Sequence, residues 1–233
     1  MAPAVFKTAA SADSASPARA APAGWRPGGR CAPRGPAAGV SRHIMPALYC
    51  GRMFGRGHDA AYRRSQAATG VPIHPSEVAR GLVLRVLAAG DGAGDRQRIG
   101  QLLLDELSRS AGLPDCRLVV PDRPQVHRHD GRRLQSKTYG YYTFRRGRDG
   151  RSVAARIRIY HRTAVQQRVI SPKVFLNTLL HEWVHHYDFH GLGLPRSYHT
   201  AGFFARLRAL AEALEAGFVM PPDPDRGAGL RPQ

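Results

Sequence analysis

The hydrophobic pattern predicts that the ordered part of the chain begins with two helices. Ser76 can cap the first, which runs to about residue 89, because its hydroxyl can accept a hydrogen bond from a first-turn amide. Asp95 can cap the second, which follows the glycine-rich loop 90–94 and runs to about residue 110. Apolar residues in this second helix are three or four positions apart, which is the spacing of one buried face. They are Ile99, Leu102, Leu103 and Leu107.

Three segments rich in aromatic and β-branched residues predict strands. They span residues 116–120, 138–145 and 153–161. In the third segment, arginine and isoleucine alternate from Arg156 to Ile159, as in a strand with one exposed face. The turn sequence Gly147-Arg-Asp-Gly150 joins the second segment to the third and predicts an antiparallel hairpin.

Two more helices follow the strands. Ser171 followed by Pro172 is a strong helix start, and the glycine-rich stretch 191–195 ends that helix near residue 190. Trp183 lies in an apolar stripe of this helix and is expected in the core, and a last helix spans 200–216. The pattern predicts an α+β fold in which an antiparallel sheet of about three strands packs on the 171–190 helix and further helices.

Residues 1–72 differ in composition from the rest of the chain. They are rich in Ala, Pro, Gly, Ser and Arg, contain only two acidic residues and show no apolar period. Such a segment buries too little apolar area to offset the entropy lost on ordering. We therefore expect a disordered tail over 1–72, one domain over 73–220 and a mobile tail over 221–233.

The net charge narrows the choice of partners only weakly. The chain carries 35 Lys and Arg against 17 Asp and Glu, a formal charge of +18, which excludes an acidic protein and permits a polyanionic partner. The excess is almost all arginine and accompanies abundant Ala, Gly and Pro, as GC-rich coding produces. Four arginines crowd the predicted hairpin and could hold DNA or RNA, or form a solvated turn. They are Arg145, Arg146, Arg148 and Arg151.

The cysteines and the apolar runs exclude several classes of protein. Cys31, Cys50 and Cys116 are odd in number and far apart, which argues against a disulfide scaffold or a zinc ribbon. We expect Cys50 and Cys116 to be free thiols. No apolar run approaches the roughly 18 residues of a membrane span, and the N-terminus has no signal-peptide core. We expect a cytoplasmic monomer with no membrane partner.

The most informative segment is His181-Glu-Trp-Val-His185, inside the 171–190 helix. Histidines four positions apart lie on one helix face, so their ring nitrogens can reach one metal ion. Glu182 is turned away by one residue's rotation and is placed to act as a general base on metal-bound water. The metal-free alternative is a core helix in which protein groups alone satisfy both imidazoles and the carboxylate.

A zinc peptidase needs a third protein ligand and leaves the fourth position to water. The metzincin spacing would require a histidine where Gly191 stands. A glutamate of the last helix, Glu212 or Glu215, is one remaining choice. The other is His199, just before that helix, which can turn back toward His185 across the intervening loop. We expect His199, with a glutamate or no third ligand as the alternatives.

These residues resemble the SprT-like family of zinc metallopeptidases, which follow an HExxH helix with a His-x-x-x-Phe segment at the start of the next helix. His199 and Phe203 match that segment, with Thr200 at the family's usual glycine. Residues 137–141 and the strand over 156–161 are similar to the sheet that precedes the family's active helix.

The resemblance implies a small zincin-like fold that acts on a protein or peptide substrate. It implies zinc held by His181, His185 and His199, and Glu182 as the general base. Zincin-type sites align extended substrates along a sheet edge, for which we expect the strand over 153–161. Some members of the family cleave proteins crosslinked to DNA. The alternative hypothesis is therefore a metal-binding, nucleic-acid-associated module without proteolytic activity.

Other polar residues near the motif have smaller predicted roles. Asp188 could accept a hydrogen bond from a ligand ring or solvate the helix end. Tyr187 or Tyr198 could stabilise an oxyanion. We expect His186 and His190 to be packing or surface residues.

Overall fold

Helices and strands occur in blocks along the chain, which is the arrangement of an α+β fold. A computed structural model describes residues 4–11, 60–131, 133–146 and 152–217. The helices are α1 (Ala60–Ala67), α2 (Glu77–Leu87), α3 (Ala93–Ser110), α4 (Pro172–His190) and α5 (Ala201–Ala213). The strands are β1 (Ala4–Ser11), β2 (Cys116–Val119), β3 (Val126–Asp130), β4 (Arg133–Arg146) and β5 (Ser152–Ile159). The predicted α+β class is confirmed.

Side-chain caps decide where most of the helices begin. Ser76 accepts a hydrogen bond from the Ala79 amide at 3.2 Å, as the sequence predicts for the start of α2. The predicted cap of α3 is wrong, because Gly92 occupies that position and Asp95 lies in the first turn. A carboxylate in the first turn still stabilises the helix through the positive end of its dipole, so Asp95 marks the right helix but not its first residue.

The sheet assembles around β4. This strand pairs antiparallel with β5, as the hairpin predicts, and Tyr142 lies opposite Ile157. It also pairs antiparallel with β3 through its first half and with β1 along its other edge. β2 pairs with β5 in the parallel direction, with Leu118 opposite Ile157.

The sheet is therefore mixed, and the predicted antiparallel sheet of about three strands is wrong. Alternating buried residues identify β2 as a strand, but such a pattern carries no information on strand direction. β3 has the sequence Val-His-Arg-His-Asp with little burial, so it lacks the apolar alternation that would reveal it. β5 lies between β4 and β2 and is not the exposed edge that the sequence assigns to it.

α3 closes the outer edge of β2 with two glutamine side chains. Gln101 accepts from the Leu118 amide at 2.7 Å and donates to the Cys116 carbonyl at 2.9 Å. Gln97 accepts from the Val120 amide at 2.8 Å. These bonds satisfy backbone groups that would otherwise be open to another strand, which protects the edge from further pairing.

α4 is the central buried helix and packs against β4, β5, α2, α3 and α5. Nearly every side chain from Phe175 to Phe189 is buried, and Trp183 is fully enclosed, which confirms its predicted core position. The polar side chains of this helix must therefore find partners inside the protein. Within the described residues, no helix is both long enough and apolar enough to span a bilayer.

The ordered domain begins before the boundary predicted at residue 73, because α1 packs against α5. Gly202 allows this close approach, since a Cβ atom there would lie 2.1 Å from the Ser65 carbonyl oxygen. The Ser65 hydroxyl is 3.0 Å from that of Thr200, and Arg206 donates to the Ser65 carbonyl at 2.8 Å. Small and polar contacts of this kind leave no apolar period in the sequence.

β1 also falls inside the stretch that the sequence assigns to a disordered tail. The other residues of that stretch up to 59, and residues 218–233 at the opposite end, lie outside the described residues.

Candidate metal centre

α4 and the loop after it bring three imidazoles together. His181 and His185 lie one turn apart on α4, and His199 directly precedes Thr200, the N-cap of α5. The Nε2 atom of His199 is 3.0 Å from that of His181 and 3.1 Å from that of His185. The three candidate ligand atoms all lie within 4.8 Å of one another. The structure thus collects the three histidines that the sequence singles out.

Burial keeps these rings neutral. It lowers the pKa of His181 to about 3 and lowers the pKa values of His185 and His199, and neighbouring rings add to the effect at His181 and His185. A neutral imidazole carries one N–H and one lone pair. The Ser197 hydroxyl donates to Asp188 at 2.6 Å, so it accepts from Nδ1 of His185 at 2.7 Å. The Nε2 atom of His185 is left with a lone pair that faces the cluster.

Hydrogen bonds among the three rings can satisfy at most one of the two short nitrogen contacts. His199 holds at most one proton on Nε2, and one proton cannot lie along both of its short contacts, to His181 and to His185. At least one pair of nitrogens therefore meets with lone pairs alone. A cation with affinity for imidazole nitrogen removes this conflict, so the donor set fits a metal ion.

Phe203 forms the apolar wall of the cluster. Its ring centre lies 4.8, 4.7 and 5.0 Å from the ring centres of His181, His185 and His199. Thr200 fixes this wall, because its hydroxyl accepts from the Phe203 amide at 3.0 Å and so begins α5. Although partial desolvation lowers its pKa, His199 is exposed as a residue whereas the other two histidines are buried, so the cluster opens to solvent on the His199 side.

A buried chain of polar groups holds the ring of His185. Ser197 joins that ring to Asp188, and Asp188 forms an ion pair with Arg206 at 2.9 Å. Both charged side chains are fully buried, and Arg206 is held in turn by the Ser65 carbonyl. Asp188 therefore reaches a ligand ring through a hydroxyl instead of directly. Sequence reasoning missed Ser197 and Arg206, because a loop serine and a helix arginine give no signal of burial.

Glu182, next to His181 in α4, is fully buried. Its side chain is 0% exposed, and neither carboxylate oxygen has a hydrogen bond within normal geometry to the described residues. Burial raises the pKa of Glu182 well above its ordinary value, and the Tyr142 amide offsets only part of that effect. Gly140 lets β4 pass close to β5 and α4, since a Cβ atom there would lie 2.7 Å from the Arg158 carbonyl oxygen and 3.0 Å from Cγ2 of Thr178; Oε1 of Glu182 would lie 3.5 Å from it, at ordinary contact distance.

The alternative acidic ligands lie elsewhere. Glu215 forms an exposed ion pair with Arg80 at 3.1 Å, beyond the end of α5. Glu212 does not belong to the one group of possible metal ligands found within the described residues. Of the predicted choices for the third position, only His199 joins the other two histidines.

The second histidine pair of α4 has a structural role. His186 is 3.0 Å from the Tyr142 hydroxyl through Nδ1 and 3.0 Å from the Pro114 carbonyl through Nε2. His190 is 2.9 Å from the same hydroxyl. One consistent assignment runs from His190 to Tyr142 to His186 to Pro114, with each group donating once, so protein groups satisfy this pair.

The predicted oxyanion stabilisers each contact another aromatic ring. Tyr187 stacks on Trp183 with ring centres 5.9 Å apart. Tyr198 meets the ring of Tyr62 at 5.8 Å, and its hydroxyl accepts from Arg196 at 3.4 Å. Neither contact gives a reason to assign an oxyanion role.

Several predicted features lie partly outside the described residues. Arg145 is exposed at the end of β4, whereas the tip of the basic hairpin over 147–151 is not described. Cys31 and Cys50 also lie outside the described residues. Cys116 is a buried free thiol, and burial raises its pKa to about 12.

Comparison of the chain with protein-family models, with curated proteins and with solved structures found no match. The function is therefore inferred from the residues and their geometry.

Proposed function

We propose that this protein is a zinc-dependent metallopeptidase with a zincin-like domain. One observation carries the proposal: three neutral imidazoles converge beside a buried carboxylate that has no partner in the described part of the chain. A structural metal site has no use for a free carboxylate at that position. The resemblance of the HExxH and His-x-x-x-Phe segments to the SprT-like family supports the same function.

Zinc is the metal that best suits this donor set. Three imidazole nitrogens are a common protein ligand set for catalytic zinc, which keeps its fourth position for water. His181, His185 and His199 would hold the ion, and the exposed side at His199 would admit water and substrate. When bound, zinc would act as a Lewis acid and lower the pKa of the water that it holds.

Glu182 would carry the protons of the reaction. Its carboxylate would accept a proton from the attacking water and later deliver a proton to the leaving amine of a peptide bond. A base without competing hydrogen bonds is available for this exchange, which fits the absence of partners at both oxygens within the described residues. Ser197 and Asp188 would hold the His185 ring in one orientation and one tautomer during turnover.

The carboxylate role is tested with Glu182→Gln, which keeps the shape of the side chain and removes the base. We expect the variant to keep the zinc content of the parent and to cleave an unfolded protein substrate about 10²–10⁴-fold more slowly. The readout is substrate hydrolysis at matched zinc occupancy. Equal cleavage rates of parent and variant would show that Glu182 is not the base.

The ligand set is tested by elemental analysis of purified protein. We expect about one zinc ion per chain, which is lost in His199→Ala and kept in Glu212→Ala. Glu212 is the matched control because it lies on α5 but outside the histidine cluster. Zinc retained by His199→Ala and lost by Glu212→Ala would assign the third position to the acid.

The second candidate function is a metal-binding module that associates with nucleic acid and does not cleave proteins. It is favoured by the sequences of β2, β4 and β5, which contain six arginines and a lysine but no acidic residue. This function predicts binding to nucleic acid that weakens steeply with salt. It also predicts no protein cleavage by the zinc-loaded parent, with or without nucleic acid present.

A further inference from the structure

The sheet has one face that no part of the proposed metal centre uses. Tyr142 and Ile157 are buried, and Gly140 faces Thr178 and Glu182 of α4, so alternate positions of β4 and β5 point toward that helix. The intervening positions point the other way. They include Tyr141 on β4, which lies opposite Arg158 on β5.

A cavity lies where this outer face meets the loop after β2. It has a volume of about 490 Å³, within the roughly 300–1,000 Å³ of small-ligand sites. We call it the Arg123–Arg158 pocket. It is lined by Pro121, Arg123, Pro124, Val126, Arg158 and Tyr160.

Arg158 is held in place but has no anionic partner among the described residues. Its guanidinium carbon lies 5.7 Å from the ring centre of Tyr141, and its Nε atom is buried with no hydrogen-bond acceptor. Neither Arg158 nor Arg123 forms an ion pair with any residue that the structure describes. A buried guanidinium nitrogen without an acceptor costs free energy that a bound anion would recover.

The acidic residue nearest in sequence to the pocket is already engaged. Asp122 binds Arg162 through both carboxylate oxygens, at 2.6 and 3.0 Å. This fork-to-fork pair leaves the charges of Arg123 and Arg158 uncompensated on their side of the loop. The positive charges of Arg158 and Arg123 also act on Tyr160. Burial and Tyr141 raise the pKa of the Tyr160 hydroxyl, and the two arginines oppose that rise.

We propose that the Arg123–Arg158 pocket binds a phosphate group attached to a flat ring, as in a mononucleotide or the terminal nucleotide of a nucleic acid. The two guanidinium groups hold the phosphate. Each guanidinium can donate two parallel N–H···O bonds to a phosphate, which an anion with a single acceptor atom cannot accept. Tyr160 and the two prolines provide an apolar surface for the ring. This proposal is independent of the proposed metallopeptidase, because none of the residues that line the pocket belongs to the histidine cluster.

The test uses the full-length chain and calorimetric titration with adenosine monophosphate. We expect saturable binding that Arg158→Gln and Arg123→Gln each weaken at least about tenfold, a change of about 1.4 kcal/mol in binding free energy. Arg156→Gln is the matched control, because Arg156 lies two residues away on β5, is exposed and does not line the pocket. It loses the same charge, and we expect it to change the affinity less than about twofold.

Further ligands separate the sources of the phosphate. Adenosine and inorganic phosphate should each bind more weakly than the monophosphate, since each lacks half of the recognised group. A short oligonucleotide with a 5′-phosphate that binds better than its unphosphorylated counterpart assigns the pocket to a chain end, whereas binding of the mononucleotide alone assigns it to a free nucleotide.

Three outcomes overturn the proposal. They are no saturable binding of either the monophosphate or the 5′-phosphorylated oligonucleotide, equal loss of affinity in Arg156→Gln and Arg158→Gln, and equal binding of phosphorylated and unphosphorylated oligonucleotides without binding of the monophosphate. Circular dichroism and zinc content of each variant verify folding and keep this test separate from the peptidase proposal.

Discussion

α4 carries two histidine pairs with the same spacing and opposite chemistry. His181 and His185 each lie within 3.1 Å of the Nε2 atom of His199, which can share a hydrogen bond with only one of them, on a side that opens to solvent. His186 and His190 share the buried hydroxyl of Tyr142 and end on a backbone carbonyl. Four-residue spacing therefore places two imidazoles on one helix face, but the hydrogen-bond partners around them decide whether their nitrogens are satisfied by protein groups or could hold a metal ion.

The largest contrast is expected from exchanging one histidine of each pair for glutamine. We expect His185→Gln to lose bound zinc, because two imidazoles remain from a set of three, and His186→Gln to keep it. Elemental analysis of the two purified variants gives the readout, with circular dichroism as the check on folding. Zinc retained in the first variant and lost in the second would reverse the assignment of the two pairs.

Removing the metal should separate the two pairs in the same way. A chelator should lower the melting temperature of the parent and of Tyr142→Phe, because a ligand that binds only the folded state stabilises it. His185→Gln should melt at the same temperature with and without the chelator. A chelator effect of equal size in all three proteins would mean that the stabilising metal sits elsewhere.

Ser197→Ala tests the chain that orients the metal-facing pair. Without the hydroxyl, His185 loses its link to Asp188, and we expect the dissociation constant for zinc to rise about 10–100-fold. Ser108→Ala is the matched control. This buried serine of α3 accepts a hydrogen bond at 3.3 Å from Trp183 of α4, the helix that carries His185. Competition with a zinc-binding dye measures both affinities. An equal effect in the two variants would show that loss of packing, and not loss of orientation, is responsible.

Tyr142→Phe tests the protein-satisfied pair. It leaves His186 and His190 without their shared partner, and we expect the free energy of unfolding to fall by about 1–3 kcal/mol with no change in zinc affinity. Tyr141→Phe, the next residue on the opposite sheet face, should change it by less than about 0.5 kcal/mol. Urea unfolding of both variants provides the comparison, and equal changes would remove the special role of Tyr142.

The smallest effect concerns how well the protein shields Cys116, a buried thiol near Tyr142, from solvent. Burial raises the pKa of Cys116 to about 12, so at pH 8 far less of this thiol is ionised than of an exposed one. Iodoacetamide should therefore label Cys116 slowly in the native protein and rapidly in denaturant, as measured by peptide mapping. Rapid native labelling would show that the protein opens at Cys116 as readily as on the metal side.

Local features of the fold could be predicted from the sequence, and features that depend on tertiary contact could not. Helix spacing and caps are local, so α4 and the convergence of His181 with His185 follow from the pattern alone. The parallel direction of β2 depends on how distant elements dock, which no alternation records. β3 was missed because its side chains are polar and little buried.

The residues of the candidate site also divide into those that a local pattern identifies and those that only tertiary contacts reveal. His199 could be singled out because a histidine just before a helix can reach the previous helix, and the resemblance to a known motif favours it. Ser197 and Arg206 could not, because a loop serine gives no signal of burial, and Arg206 is held by a carbonyl of α1, which shows no apolar period. The assignment of the 153–161 strand as a sheet edge failed because pairing with β2 is a long-range property of the fold.

The contact between α1 and Gly202 sets a practical limit on how far the protein can be shortened. A chain that starts at residue 73, where the hydrophobic pattern begins, would lack the Ser65 carbonyl to which Arg206 donates. It would also lack the Ser65 hydroxyl that contacts Thr200, the N-cap of α5. Because Arg206 pairs with Asp188, and Asp188 and Ser197 orient the His185 ring, the truncation would disturb that ring although it deletes no candidate metal ligand. A recombinant fragment made to study the histidine cluster should therefore keep residues 60–72.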